Sequence, residues 1–99
     1  MIENLIAAAP AGTKAGFYRT AAGAEMDLVL ELGAKHGVWA VEIKRSAAPG
    51  LQKGNHHALA DIAPRRSFYV HGGTDRFPMT ANTEAISLHE LAAELAALG

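Results

Sequence analysis

The 99-residue chain has no cysteine, which excludes a disulfide framework, a thiolate metal site and a cysteine nucleophile. Aromatics are few, with three Phe, two Tyr and one Trp, so the core must be mainly aliphatic. Neither sign of charge dominates, since nine Lys and Arg face ten Asp and Glu. No global basic field therefore announces a nucleic-acid partner. Apolar runs fall short of the ~20 residues that a membrane span needs. The opening "MIENLIAAAP" lacks a basic n-region and carries Glu3, unlike a secretory signal. These absences lead to the expectation of a cytoplasmic protein without a membrane segment. A G-x-x-x-x-G-K-[ST] loop for nucleotide phosphates is also missing.

What is present is a chain that is 49% apolar, enough for one modest core and one domain over residues 1–99. "IENLIAAA" (2 to 9) has helical spacing and ends at Pro10 and Gly12. Its abrupt start reads as a truncated first helix. "AGFYRT" (15 to 20), "EMDLVLEL" (25 to 32) and "GVWAVEIKR" (37 to 45) read as three strands of an antiparallel meander, joined by turns at 21–24 and 33–36. "LQKGNHHALADIA" (51 to 63) reads as a helix with Leu51, Ala58, Leu59 and Ile62 on one stripe, although Gly54 weakens it. "RSFYVHG" (66 to 72) reads as a strand, and a helix between two strands implies a crossover to a parallel neighbour. A short edge strand at Phe77 to Met79 and an extended "EAIS" (84 to 87) follow. Ser87 and Glu90 then form a capping box for a last helix, "LHELAAELAAL". The expected fold is α/β, a mixed sheet flanked by helices.

The chemistry gathers in the hairpin. If the turn is 33–36, Leu30 faces Trp39, Leu28 faces Val41 and Met26 faces Ile43, placing Met26, Leu28 and Leu30 on one apolar face. The same register sets Asp27 opposite Glu42 and Glu25 opposite Lys44. Like charges directly opposite are destabilising. A divalent cation reverses that sign, because Mg²⁺ and Mn²⁺ accept hard oxygen ligands from one or two carboxylates and complete their shells with water. Lys44, two residues beyond Glu42, would stand beside whatever the cation holds. Such a group suits phosphodiester hydrolysis, with the lysine stabilising developing negative charge. The first turn places Tyr18 next to Asp27, as a hydroxyl that supports a metal ligand or simply as a half-buried aromatic.

Glu3 on a leading helix, Glu25-Met26-Asp27 on the second strand and Glu42-Ile43-Lys44 on the third resemble the PD-(D/E)XK nuclease superfamily. More closely, "ENLIAAAPAG", "FYRTAAGAEMDLVLEL", "AVEIKRSAAP" and "HELAAELAAL" look like the domain of unknown function at the C-terminal end of many prokaryotic AAA-type ATPases. This likeness covers nearly the whole chain. It implies a restriction-endonuclease-like αβββαβ core plus a C-terminal helix, with Asp27 and Glu42 as metal ligands, Glu3 as the acid from the first helix and Lys44 as the catalytic lysine. Lys53 is the nearest match to a basic or amide residue that some superfamily members place on the second helix. Arg45, with Lys53, could join a rim that attracts phosphate. The ATPase domain of the family is absent from this chain.

Plainer readings stand beside these. Asp27, Glu42 and Lys44 could form a solvated strand face with Lys44 pairing Glu25. His56 and His57, adjacent on a helix, point to different faces and make poor metal ligands. Ser46 has no positioned base, and Trp39 is simplest as core. Two functions remain open: a Mg²⁺- or Mn²⁺-dependent nuclease acting on DNA, and a non-catalytic module of an ATPase that binds nucleic acid or protein. A homodimer, or a separate ATPase subunit, is the partner that would cover apolar surface left by a missing N-terminal part.

Overall fold

Apolar stripes of all three helices pack against one six-stranded sheet. The computed structural model describes residues 1–44 and 50–99. Three helices, α1 (Ile2–Ala8), α2 (Lys53–Ile62) and α3 (Leu88–Leu98), flank strands β1 (Lys14–Arg19), β2 (Glu25–Glu31), β3 (Val38–Ile43), β4 (Arg66–His71), β5 (Phe77–Pro78) and β6 (Thr83–Ser87). The strand order is β1-β2-β3-β4-β6-β5. The first three strands are an antiparallel meander, β4 and β6 run parallel to β3, and β5 returns antiparallel to β6. The α/β class and the mixed sheet follow the sequence pattern, as does the C-terminal helix. Ser87 accepts the Glu90 amide at 3.1 Å at the start of α3.

The larger core lies on the α1/α3 face, where Leu5, Leu91 and Leu95 meet Leu28, Leu30, Trp39, Val41, Phe68, Val70 and Ile86. The α2 face is thinner, with Ala58 packed on Ala24, Met26 and Ala40. Small residues there let the helix sit low. A Cβ on Gly54 would lie 2.3 Å from the Gly23 carbonyl oxygen, so the glycine that weakens the helix in isolation is what admits it to the β1–β2 turn. Gln52 and Asn55 cap the helix start reciprocally.

One expectation about the strands fails. Met26 does not share the face of Leu28 and Leu30; it packs on the α2 side. The reason is a bulge in β2. Gly16 pairs with Val29 but Tyr18 pairs with Met26, so β2 uses one residue more than β1 and its alternation slips around Asp27. Tyr18 therefore stands beside Met26 instead of Asp27. Arg45 and Ser46 lie outside the described residues.

Gly54→Ala should test how tightly α2 is seated. Alanine adds about 1 kcal/mol of helix propensity, yet the clash with Gly23 should win and leave a net loss of about 1–3 kcal/mol in urea denaturation. Gly16→Ala on β1, where a Cβ meets nothing within 4 Å, should change stability by about 0.5 kcal/mol or less.

Candidate functional site

The β2–β3 ladder follows the hairpin register from Glu31 and Val38 to Leu28 and Val41. Beyond that pair, side chains replace carbonyls as acceptors. The Asp27 amide donates to Glu42 Oε1 at 3.1 Å, and the Ile43 amide donates to Asp27 Oδ2 at 2.9 Å. Each carboxylate is thus anchored by the strand that carries the other. β3 meanwhile stays in register with β4 through Ile43, and the Lys44 amide donates to the Val70 carbonyl at 2.9 Å.

Glu42 is 8% exposed. Burial, and then the Asp27 charge, push its carboxyl up to about 7, while the Asp27 backbone amide and the Asn55 side chain oppose the shift. Asn55, 1% exposed, reaches in from α2; its amide nitrogen donates to the Glu25 carbonyl at 2.9 Å and its oxygen accepts the Gln52 amide at 2.8 Å. Tyr69 is the register partner of Glu42 on β4. Burial, joined by the Glu42 charge, raises its phenol above the ordinary value.

The other expected residues are placed around this pair or away from it. Glu25 pairs with Arg19 at 2.9 Å. Tyr18 donates to Asp61 on α2 at 2.9 Å, a bond that raises its own pKa. Lys44 is exposed and shares a shallow depression of about 460 Å³ with Met1, Ile2, Glu3 and Ile43. Glu3 bonds the Met1 amino group at 2.9 Å, which lowers its pKa. Lys53 is exposed at the first position of α2; two residues further, about 200° around the helix, Asn55 takes the inward position. Among the described residues, no group of three His, Cys, Asp or Glu is arranged to hold a metal. The fold therefore joins Asp27 to Glu42, and Glu3 to the neighbourhood of Lys44, without closing a three-acid centre.

Asn55 and Tyr69 are the residues that the sequence reading missed. Asn55 had a signal, since it lies on the stripe of Ala58, Leu59 and Ile62 where a polar side chain is out of place. Tyr69 had none beyond strand parity. A wider depression of about 860 Å³, between α2 and the β5–β6 turn, is lined by His56, Arg65, Ser67, Thr83 and Glu84 among others. Several of its polar groups are already bonded within the protein: Ser67 and Thr83 hydroxyls lie 2.6 Å apart, and Glu84 bonds Arg76 and Arg66. It sits apart from the carboxylates.

The fold and site together define an α/β domain with a buried Glu42 and a half-buried Asp27 side by side at a break in its sheet. A family model described as "Domain of unknown function (DUF4143)" matches residues 1–91, and the chain belongs to that family. Two curated relatives, the uncharacterized proteins Mb2031c of Mycobacterium bovis and Rv2008c of Mycobacterium tuberculosis, are each 31% identical over 75 residues, covering 76% of this chain. The chain spans 17% of the length of these relatives. No solved structure matches it.

The raised Glu42 carboxyl has a defined consequence for stability. Its ordinary value is 4.5 and its folded value about 7, so between those limits the folded state holds the extra proton. Without divalent cations, stability should therefore fall by about 1–3 kcal/mol as pH rises from 4.5 to 7. Glu84, whose pKa Arg76 lowers, acts below that window. Glu42→Gln should flatten the profile, as read by urea denaturation across the same range.

Proposed function

We propose that the domain is a divalent-cation-dependent phosphodiesterase of the restriction-endonuclease-like PD-(D/E)XK type, acting on DNA. The observation that carries this reading is the Asp27–Glu42 pair: two acids held against each other by backbone amides, with burial and negative charge sufficient to raise Glu42 to about 7. Hard oxygens at this density suit Mg²⁺ or Mn²⁺, and Asp27 and Glu42 are the residues that would hold it. Such a cation, when bound, supplies Lewis acidity and a water of lowered pKa.

The protein's own groups have separate tasks. Burial keeps Glu42 out of bulk water, and Asn55 favours its ionised form. Lys44, exposed two residues beyond Glu42, can pair with a phosphate oxygen as negative charge develops there. The Ile43 amide, donating to Asp27, fixes that carboxylate from the strand bearing Lys44.

A second reading, a non-catalytic module that binds nucleic acid or a protein such as an ATPase subunit, is favoured by the placement of Glu3. Its carboxylate is exposed on α1, in a depression with Lys44, instead of joining the pair.

Titration calorimetry with Mn²⁺ separates the readings. Wild type should bind, and Asp27→Asn should lose at least about tenfold in affinity. Lys44→Ala should keep the ion but lose about 100-fold or more in cleavage of a DNA substrate. Metal binding without cleavage by wild type would leave the binding module in front; absence of metal binding would sink the phosphodiesterase.

A further inference from the structure

The loop between β4 and β5 is built around one imidazole. The Gly73 amide donates to His71 Nδ1 at 2.9 Å, and His71 Nε2 lies 2.7 Å from the Asp75 carbonyl oxygen. A carbonyl oxygen can only accept, so Nε2 carries a proton, and an Nδ1 that accepts an amide proton carries none. Both bonds are met together only by the neutral ring protonated at Nε2. The Phe77 ring stacks on the imidazole, 6.0 Å away and tilted by 25°.

The ring is the anchor at the start of the loop. Gly72, Gly73, Thr74 and Asp75 are all exposed, and glycine loses more backbone freedom on ordering than any other residue. Gly73 is also shaped to the ring. A Cβ there would lie 3.2 Å from His71 Nδ1, whereas one on Gly72 would meet nothing within 4 Å. At the far end, Arg76 is bonded to Glu84, Glu90 and Glu94. The segment is thus pinned at two points that answer acid differently. Arg76 lowers the Glu84 pKa, so their bond persists into more acid solution than an ordinary carboxylate would allow. Imidazole is the side chain that takes up a proton nearer neutrality.

We propose that His71 is a proton-operated latch: neutral, it closes the β4–β5 loop, and protonated at Nδ1, it releases the loop. The added proton sets N–H against N–H, so the Gly73 bond is lost while the Asp75 carbonyl still accepts from Nε2. With one of its two bonds to the ring gone, the segment from Gly72 to Thr74 regains its freedom. The groups around the ring are few. Its partner on β6 is Ser87, which is uncharged, and its neighbour on β5 is Phe77. Tyr69 precedes it by two residues on its own strand. Asp75 and Arg76 are the charges of the loop itself, with Arg76 committed to its three acids. On β3, Lys44 follows the Ile43 and Val70 pair, its amide bonded to the Val70 carbonyl at 2.9 Å. The latch does not depend on the phosphodiesterase reading.

The test is NMR of the isotope-labelled protein titrated from about pH 7.5 to about pH 4.5, a range that spans the ordinary imidazole value. His71 is followed through its ring resonances and residues 72–75 through their backbone order parameters. At the upper end His71 should be the Nε2–H tautomer and the loop rigid, with order parameters of about 0.85. As His71 protonates, they should fall below about 0.6 with the same midpoint, while β4 and β6 stay unchanged. His71→Phe keeps a ring against Phe77 without its nitrogens, and should show the loose loop at every pH with wild-type circular dichroism. Glu42→Gln removes the carboxyl that titrates at about 7, and should leave the loop transition in place.

An Nδ1–H tautomer at the upper end would overturn the latch, as would a loop that stays rigid while His71 takes up its proton. A His71 that takes up no proton within the range, a rigid loop in His71→Phe, or a transition that vanishes in Glu42→Gln would each contradict it as well.

Discussion

The structure depends on an exchange at the open end of one hairpin: two carboxylates accept the backbone amides of each other's strands. Asp27 holds Ile43, and Glu42 holds Asp27. Regular strands would have used carbonyl acceptors and turned the side chains to solvent or core. Here the ladder is continued by acids. Buried amides are satisfied, but two negative charges are brought together in a place of low solvent exposure, and Glu42 responds by holding its proton up to about pH 7.

The surrounding elements make that arrangement possible. The bulge in β2 lets Asp27 leave the alternation that Leu28 and Leu30 obey. Glycine at position 54 lets α2 settle against the β1–β2 turn, which brings Asn55 to the Glu25 carbonyl and to Glu42. On the opposite face, Arg66 stacks over Trp39 and Phe68 at 4.9 and 4.8 Å and bonds Glu94 at 2.9 Å, tying α3 to the sheet. Arg76 joins Glu84, Glu90 and Glu94 in the same network. The side of the molecule away from α2 is thus packed and neutralised, while the like-charged pair lies in the hairpin.

Much of this was legible beforehand because it rests on local rules. Period-two patterning and a four-residue turn fix the pairing of Leu30 with Trp39 and of Leu28 with Val41, and a helix between two strands gives the parallel β3–β4 pair. The same register points to Asp27 opposite Glu42, although the observed ladder stops at Leu28 and Val41 and the two acids meet through side-chain bonds to backbone amides. What the sequence hid depends on contacts distant in the chain. The β2 bulge moves Met26 to the other face and Tyr18 away from Asp27, and a one-residue insertion leaves no mark in a pattern of alternating residues. Asn55 displaces Lys53 as the inward residue of α2 because the helix phase is set by Gly54 against Gly23, a contact across 31 positions in sequence. Glu3 turns to the terminal amine because a positive charge attracts it and the sheet acids do not.

The central claim is that the fold forces Asp27 and Glu42 into one charged unit that a hard cation relieves. Carbon-13 NMR of the Glu42 side-chain carboxyl, titrated with and without Mg²⁺, tests it most directly. The expected midpoint is about 7 without the ion, moving down both in Asp27→Asn and when Mg²⁺ is added to wild type. A midpoint in the ordinary glutamate range, indifferent to the ion and to the substitution, would contradict it.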